Sequence, residues 1–578
     1  MGSSALPISL QDKLRKSQGY SRIKTLSTNL NLLRNIIFAL FLLRYLRKSF
    51  YLVRGYGIFG TLTIAYSLFR KRAYQLFLRA PGVRSKVDKH VATAIAEIED
   101  KLAPQGPGVT RYLTLPKEPW TGQQLDAELG KLCEMKRTRW EEGKVSGTVY
   151  HGGEDLLKLQ AKAMEMFGVA NPIHPDVFPG VRKMEAEVVA MVLSLFNAPP
   201  PSAGTTTSGG TESILLSVLS ARNKAHAERS VTTPELVVPS TAHAAFYKAA
   251  SYFNIKIHVV PCPAPNYRVS IPKVRRLINP NTIMLVGSAP NYPHGIVDDI
   301  PALSRLALSY NGGIPLHVDC CLGSFLMPFL ASAGFPSPFA ETGGFDFRVP
   351  GVTSISVDTH KYGFAPKGNS VILYRSKQLR QYQYFICPNW SGGVYGSPSM
   401  AGSRPGALIA GCWASMMSVG EAGYIESCHK IVGIRITIQN AIIEHPILKG
   451  SLKVLGEPSV SVVAFESIDP DVDVYDLADG MSSRGWHLNA LQHPPGIHVA
   501  VTLPMTKGEA VERLINDLVE AVKVEKEKAE EMRRTGSGFQ GEKKRGNAGA
   551  LYGVAGKIPD KSVVERLVVG FLDTLYKA

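Results

Sequence analysis

The feature that most constrains the fold is a regular alternation of short apolar runs with helix-length stretches between residues 201 and 430. Six runs rich in Val, Ile and Leu lie at 236–238, 257–260, 282–287, 315–319, 353–357 and 371–374. Such spacing is typical of βαβ units, so it predicts an α/β domain with a mostly parallel sheet and helices on both faces. Functional side chains are then expected at the carboxyl ends of the strands.

One of these strands ends in a turn that carries His360 and Lys361. The turn, within residues 352–369, contains Gly and Pro, which hold a side chain in place instead of leaving it free in solvent. A lysine held there can act as a Schiff-base nucleophile when burial and neighbouring cations lower its pKa. A lysine after a strand is, however, more often a surface charge, so this motif alone leaves both interpretations open.

Three further motifs occur at strand ends or helix starts. Gly-Gly-Thr at 209–211 precedes a predicted helix, where the backbone N–H groups of Gly210 and Thr211 are suited to bind a phosphate. His243 follows one strand and Asp319 ends another. Each has an ordinary structural alternative: a hydrogen-bonding histidine for the first, a helix cap for the second.

The run Ser-Val-Asp-Thr-His-Lys-Tyr-Gly at 356–363 resembles the cofactor-lysine motif of fold type I pyridoxal-phosphate enzymes. Within their group II decarboxylase branch, the chain is most similar to the sphingosine-1-phosphate lyase family, from about residue 80 onward. Gly-Gly-Thr, His243, Asp319 and His360-Lys361 follow one another in the family's order. The resemblance implies pyridoxal 5'-phosphate as cofactor, a seven-stranded-type sheet in a large domain, and a smaller α+β domain at the C-terminus.

The resemblance also assigns roles around the cofactor. Lys361 carries the cofactor, while Gly210, Thr211 and His360 bind its phosphate. His243 stacks on the pyridine ring, and Asp319 pairs with the ring nitrogen and makes the ring a strong electron sink. Lys361, His243 and Asp319 are therefore the expected catalytic residues.

Four more residues match family positions near the substrate: Tyr150, His174, Lys367 and Tyr395. They supply hydroxyl, imidazole and ammonium donors suited to a phosphate dianion. Arg404 and Tyr552 are weaker candidates that are equally compatible with a structural role.

The resulting expectation is a retro-aldol cleavage of a phosphorylated sphingoid base to a long-chain aldehyde and phosphoethanolamine. The base is either Lys361, once it is freed from the cofactor, or a tyrosine. Two alternatives stay open: an amino-acid decarboxylase on the same fold, and a catalytically silent membrane scaffold. Intact Lys361, Asp319 and His243 argue against the scaffold. The family also implies a homodimer, with the loop from Gly392 to Gly406 contributed across the interface.

The positive charge is concentrated at the N-terminus. Residues 1–90 contain 17 Lys and Arg against Asp12 and Asp88, which leaves the rest of a +17 chain nearly neutral. No nucleic-acid motif accompanies the charge, so it indicates apposition to a membrane. The apolar stretch 49–69 approaches the ~20 residues of a membrane span, whereas 31–43 is shorter. The alternative is a pair of interfacial helices.

The expected organisation is a basic N-terminal region with a transmembrane segment (1–80), a helical and loop segment (81–200), the large cofactor domain (201–430) and a small domain (431–578). A mobile surface loop is expected from Lys523 to Asn547. Seven cysteines without a CxxC or zinc pattern predict no metal site and a reducing compartment. The family implies a single-pass protein of the endoplasmic reticulum with its catalytic body in the cytosol.

Overall fold

The computed structural model describes residues 8–103, 110–135, 137–339, 343–535 and 562–577, of which 8–27 and 101 are described as backbone. These divide into two units, one up to Phe69 and one from Arg70 onward. The helices of the described chain are α1 Ile8–Leu78, α2 Pro81–Leu102, α3 Gly122–Cys133, α4 Glu154–Met166, α5 Pro179–Leu195, α6 Gly210–Arg229, α7 Ala245–Tyr252, α8 Ile271–Leu277, α9 Ile300–Leu308, α10 Lys377–Gln381, α11 Gly406–Glu444, α12 Val474–Ser483, α13 Ala510–Thr535 and α14 Ser562–Thr574.

The described part of the first unit lies within α1, which is interrupted by a non-helical residue at Gly57 (φ 73°). Most of its large apolar side chains from Leu30 to Phe69 are exposed. Within the described ranges, we find no helix that combines the length and the apolar character needed to cross a bilayer. The stretch 49–69, predicted to span, lies in α1, where Arg54 and three glycines dilute the apolar residues.

A seven-stranded sheet forms the centre of the second unit. Its strands are β1 Ala203–Thr207, β2 Glu235–Pro239, β3 Lys256–Val260, β4 Thr282–Ser288, β5 Leu316–Asp319, β6 Val352–Val357 and β7 Ser370–Tyr374. The order is β1-β7-β6-β5-β4-β2-β3, and β7 runs opposite to the other six strands. The mostly parallel sheet is thus confirmed, and all six predicted strands are present.

The register of the sheet brings three strand ends to one edge. Ser288 pairs with Asp319, and Asp319 pairs with Ser356, so β4, β5 and β6 end side by side. Helices α6 and α7 bury Ile214, Leu215 and Phe246 in a cluster with side chains of β2 and β4. A buried sheet with a packed helix layer of this kind fixes the edge where side chains converge.

The C-terminal part contains a second sheet and a hairpin. Strands β10 Leu452–Val454, β11 Val462–Ser467, β12 Asn489–Gln492 and β13 Pro495–Ala500 form an antiparallel sheet in the order β10-β11-β13-β12. The hairpin consists of β8 Phe385–Trp390 and β9 Gly393–Ser397.

The predicted surface loop and the candidate residue Tyr552 both belong to this part of the chain. The predicted surface loop from Lys523 to Asn547 is wrong in its first half, because α13 continues to Thr535. Its Glu- and Lys-rich sequence continues an amphipathic helix whose buried residues Leu518 and Val522 precede it, and within the segment itself Glu525 is buried. The second half of that loop, and Tyr552, lie outside the described residues.

Gly295 holds the loop after β4 against β11. It has φ +71°, and a Cβ there would lie 2.7 Å from the carbonyl oxygen of Val462. We expect Gly295→Ala to lower the free energy of unfolding by about 1–3 kcal/mol more than Gly312→Ala. Gly312 is a matched control, since it has φ +78° with no atom near its missing Cβ. Urea denaturation measures both. Equal losses for the two variants would show that the close approach to β11 is not limiting.

Candidate active site

Lys361 lies in the turn between β6 and β7, and its side chain is fixed by an ion pair. Nζ lies 2.8 Å from Oδ2 of Asp358, whose side chain is 2% exposed. Burial disfavours the charged lysine, but the nearby carboxylate outweighs it and raises the pKa of Lys361. The lysine is therefore held as an ammonium group next to one buried carboxylate.

The ammonium group faces the N-terminus of α6 across a cavity of about 330 Å³. The cavity is lined by Ser208, Gly209, Gly210, Thr211, Glu212, Ile214, His243, Cys321, Asp358, His360 and Lys361. Gly209 caps α6 with no side-chain hydrogen bond, so the first N–H groups of the helix are free to bind an anion. The structure therefore brings the predicted phosphate loop and the predicted cofactor lysine to one cavity.

The residues present fit pyridoxal 5'-phosphate. A Cβ at Gly210 would lie 2.7 Å from Oδ1 of Asp358 and 2.8 Å from Sγ of Cys321, so only glycine allows this close approach of the cradle to the turn. Free N–H donors suit the phosphate and Nζ suits the aldehyde carbon. The cavity thus has the donor set that such a cofactor requires.

His360 lies on the floor of the cradle. Its Nδ1 donates to the carbonyl of Asn369, and a Cβ at Gly209 would contact its ring at 3.6 Å. Burial lowers the pKa of His360, although the carboxylate of Asp358 opposes this shift. Nε2 therefore binds a phosphate as a donor only after it takes up a proton.

His243 and Asp319 occupy the expected neighbourhood. His243 lines the cavity, and its Nδ1 accepts from the N–H of Ala245 at 3.1 Å, which leaves Nε2 as a donor. Asp319 does not line the cavity; its Oδ1 accepts from the N–H of Cys321 at 3.1 Å and from the hydroxyl of Ser356 at 3.3 Å. The carboxylate is therefore oriented at the strand end, beside the cavity wall.

Tyr150 and Lys367 form a second polar group at the same turn. Nζ of Lys367 lies 4.5 Å from the centroid of the Tyr150 ring, and that ring packs edge-on against Tyr362 at 4.9 Å. Burial and the charge of Lys361 lower the pKa of Lys367 to about 8. Burial raises the pKa of Tyr150 to about 12. At neutral pH the pair is a cation over a neutral phenol.

Three other predicted residues do not join this group. His174 is exposed, and no hydrogen bond or ring contact links its imidazole to the other site residues of the described chain. Tyr395 packs against Phe385 and Trp390 in the β8–β9 hairpin. Arg404 pairs with Glu185, which accounts for it structurally.

Sequence reasoning assigned no role to three residues that the structure brings to the site. Asp358 belongs to the motif around Lys361 but was given no role of its own. Its position three residues before Lys361 indicated that the two side chains could be close. Cys321 follows Asp319 and lines the cavity. Tyr292, in the loop after β4, lies edge-on to His243 with ring centroids 6.5 Å apart, and 4.6 Å from the ring of His498. The one feature of the sequence that indicated a role for Tyr292 was its position just after the carboxyl end of a predicted strand.

Comparisons with known proteins agree with this geometry. The pyridoxal-dependent decarboxylase conserved domain matches residues 110–466. The sphingosine-1-phosphate lyase of Saccharomyces cerevisiae is 45% identical over 95% of this chain and 89% of its own length. A solved sphingosine-1-phosphate lyase of Burkholderia pseudomallei is 38% identical with a TM-score of 0.69, covering 75% of this chain and 98% of its own. A glutamate decarboxylase of Lactobacillus brevis shares the fold at 21% identity with a TM-score of 0.61, covering 72% and 95%.

The likeness to the decarboxylase shows the fold alone, whereas the lyase relatives are similar over nearly the whole chain. Together with the lysine, cradle and histidine found at one cavity, this similarity shows that the chain belongs to the sphingosine-1-phosphate lyase family of pyridoxal-dependent enzymes.

Proposed function

We propose that the chain cleaves the Cα–Cβ bond of a phosphorylated sphingoid base and releases a long-chain aldehyde and phosphoethanolamine. The observation that carries this proposal is the presence of two lysine ammonium groups, Lys361 and Lys367, on one turn. One faces the phosphate cradle of the cofactor, and the other lies over Tyr150 outside the lining of that cavity, where it is available to a second phosphate. The family relatives support the same activity.

Pyridoxal phosphate, when bound, supplies the electron sink for the pair of electrons left on Cα. Lys361 would hold its aldehyde carbon, and the N–H groups of Gly210 and Thr211 its phosphate. His243 would lie on the ring. Asp319, whose Oδ1 accepts from two donors beside the cavity wall, would supply the negative charge that pairs with the ring nitrogen.

The remaining side chains handle the substrate's phosphate and protons. Lys367, with a pKa of about 8, is mostly an ammonium at neutral pH and attracts the phosphate dianion. Tyr150, with a pKa of about 12, keeps its proton and acts as a hydrogen-bond donor.

Substituting each lysine in turn should distinguish the role of Lys361 from that of Lys367. We expect Lys361→Ala to abolish both turnover and the visible absorbance of the bound cofactor, because only Nζ of Lys361 faces the cradle. Lys367→Ala should keep the cofactor absorbance and lose about 1.5–3 kcal/mol of transition-state binding for the phosphorylated substrate. Its activity on the unphosphorylated base should change little, so the ratio of the two kcat/KM values falls. Absorbance spectra and steady-state kinetics on both substrates measure this.

Lys377→Ala, an exposed lysine on α10, is the matched control and should resemble the wild type. The assignment is reversed if Lys367→Ala removes the absorbance and Lys361→Ala does not. If Lys367→Ala lowers activity equally on both substrates, Lys367 belongs to cofactor binding or folding. Release of carbon dioxide in place of aldehyde would establish the decarboxylase alternative.

We further infer that a second copy of the chain covers an apolar surface on α3. Leu125, Leu129 and Leu132 recur at helical spacing and are 48%, 58% and 55% exposed, and α3 buries no residue in the described chain. A helix with an uncovered apolar stripe gains its stability from a partner surface. The β8–β9 hairpin is similarly uncovered, with Phe385 59% and Val394 82% exposed.

A dimer would also explain why Tyr395 and His174 stay apart from Lys361 within one protomer, since each would complete the partner's site. Obligate interfaces of this kind bury more than ~2,000 Å². We expect Leu125→Asp combined with Leu129→Asp to yield an inactive monomer in sedimentation velocity of the detergent-solubilised chain. Leu308→Asp, at a 53% exposed leucine on α9, is the control and should stay dimeric. An active monomer would refute the shared site.

We infer, finally, that α1 associates with the membrane of the endoplasmic reticulum and leaves the catalytic unit in the cytosol. Exposed apolar side chains such as Phe41 (65%) and Phe59 (86%), among clustered Arg and Lys, support lipid contact. A membrane-attached enzyme meets an amphiphilic substrate where the substrate partitions.

Alkaline carbonate extraction of membranes distinguishes how α1 is attached. We expect the full chain to stay in the membrane pellet if 49–69 spans the bilayer, and to be released if α1 lies in the interface. A variant lacking residues 1–69 serves as the control and should be found in the supernatant. A full chain that never sediments with membranes would contradict the proposal.

A further inference from the structure

Asp358 is a buried carboxylate whose partners do not satisfy it. It follows β6, is 2% exposed, and its Oδ2 lies 2.8 Å from Nζ of Lys361. Its Oδ1 is buried with no hydrogen-bond partner among the described residues. Burying a carboxylate with an unpaired oxygen is unfavourable, so the residue contributes to something other than the packing of the turn.

Glu212 also lines the cavity, but its carboxylate accepts from the N–H and hydroxyl of Ser208 and from the N–H of Met400. The other ionisable groups that act on Lys361 are not anionic at neutral pH. Tyr150 faces Nζ from the loop before α4, and burial raises its pKa to about 12. Cys321 faces it from the loop after β5, and burial raises the pKa of its thiol well above the usual value. His360 and Lys367 supply no negative charge. Asp358 is therefore the anion in this part of the described chain that keeps Nζ charged.

The contact also fixes where Nζ points. The ion pair joins two residues of one turn, and Gly210 packs directly over Oδ1 of Asp358. The carboxylate thus lies between the lysine and the start of α6, where the cofactor phosphate is expected. Moving Nζ away from the cradle would separate a buried ion pair.

We propose that Asp358 is the positioning residue of Lys361: its carboxylate holds Nζ at the phosphate cradle as an ammonium group whenever the lysine is not bonded to the cofactor. This inference rests on the proposed function, in which Lys361 carries the cofactor. When the substrate nitrogen forms its bond to the cofactor carbon, the bond from Nζ breaks. The substrate's ammonium group supplies the protons that Nζ takes up, so no outside acid is needed.

The consequence for the reaction is that the freed lysine is a proton donor. It is held as an ammonium group 2.8 Å from Asp358. It can therefore donate the proton that Cα needs once the Cα–Cβ bond has been cleaved. It is then not the base that removes the C3 hydroxyl proton.

The test uses the full-length apoprotein and pyridoxal 5'-phosphate as the probe. The rate of attachment, trapped with borohydride and mapped to the lysine by peptide analysis, is measured against pH. Only the unprotonated amine reacts, so the wild-type rate should keep rising into alkaline solution. In Asp358→Asn burial alone acts on the lysine and lowers its pKa. We expect the profile to shift to lower pH by at least one unit, with a rate at pH 7 at least about tenfold above that of the wild type.

Asp298→Asn is the matched control, because Asp298 is a buried carboxylate in the loop after β4 whose oxygens accept from the N–H groups of Val269 and Ser288, away from the cavity. It should leave the midpoint of the pH profile unchanged. An unchanged midpoint in Asp358→Asn, or an equal shift in Asp298→Asn, would overturn the proposal. Trapping on a lysine other than Lys361 would instead refute the proposed function.

A second measurement applies if Asp358→Asn folds poorly. In Lys361→Met the carboxylate loses its partner, so its folded-state pKa rises above the unfolded value. That variant should gain thermal stability relative to the wild type as the pH falls through the raised pKa. Adding Asp358→Asn to Lys361→Met should restore the midpoint of thermal unfolding at neutral pH. A double variant no more stable than Lys361→Met would show that the two charges are not coupled.

Discussion

The turn between β6 and β7 is the constraint on which the rest of the site depends. Three buried hydrogen bonds hold it to distant parts of the chain. Gln160 donates to the carbonyl of Phe364 at 2.7 Å and Tyr424 donates to that of Gly363 at 2.8 Å. The turn's own Tyr362 donates to the carbonyl of Val501 at 2.8 Å. Helices α4 and α11 and the segment after β13 are thus all tied to one turn. Because buried hydrogen bonds are costly to leave unmade, this turn cannot move without disrupting all three.

The electrostatics of the site follow from that rigidity. Lys361 and Asp358 form a buried pair whose attraction offsets the cost of desolvation only while the geometry is held. The charge of Lys367 is stabilised differently, because the ammonium group lies on the face of the Tyr150 ring and keeps contact with solvent. Two cations on one turn therefore have distinct pKa values because their neighbours differ, and this difference suits one to the cofactor and the other to an anion.

Hydrophobic patterning predicted the sheet well and failed at identifiable places. Strands rich in Val and Ile were found because a sheet covered on both faces demands them. Strand β1, Ala-Gly-Thr-Thr-Thr, has no such pattern and is not among the six predicted strands. The polar end of α13 was assigned to a loop because it is rich in Glu and Lys, whereas the apolar residues that pack the helix, such as Leu518 and Val522, lie before it.

The sequence by itself determined which lysine follows the buried strand, the phosphate cradle before α6, and the chemistry that these groups support, because each is encoded by contiguous residues. Only the tertiary structure decided that Asp358, and not Asp319, pairs with Lys361, that Tyr150 lies under Lys367, and that Tyr395 lies elsewhere in one protomer. The reason is physical: contacts between side chains depend on strand register and on how a turn is anchored. The turn, for example, is anchored by residues 61 to 204 positions away from their partners in the chain.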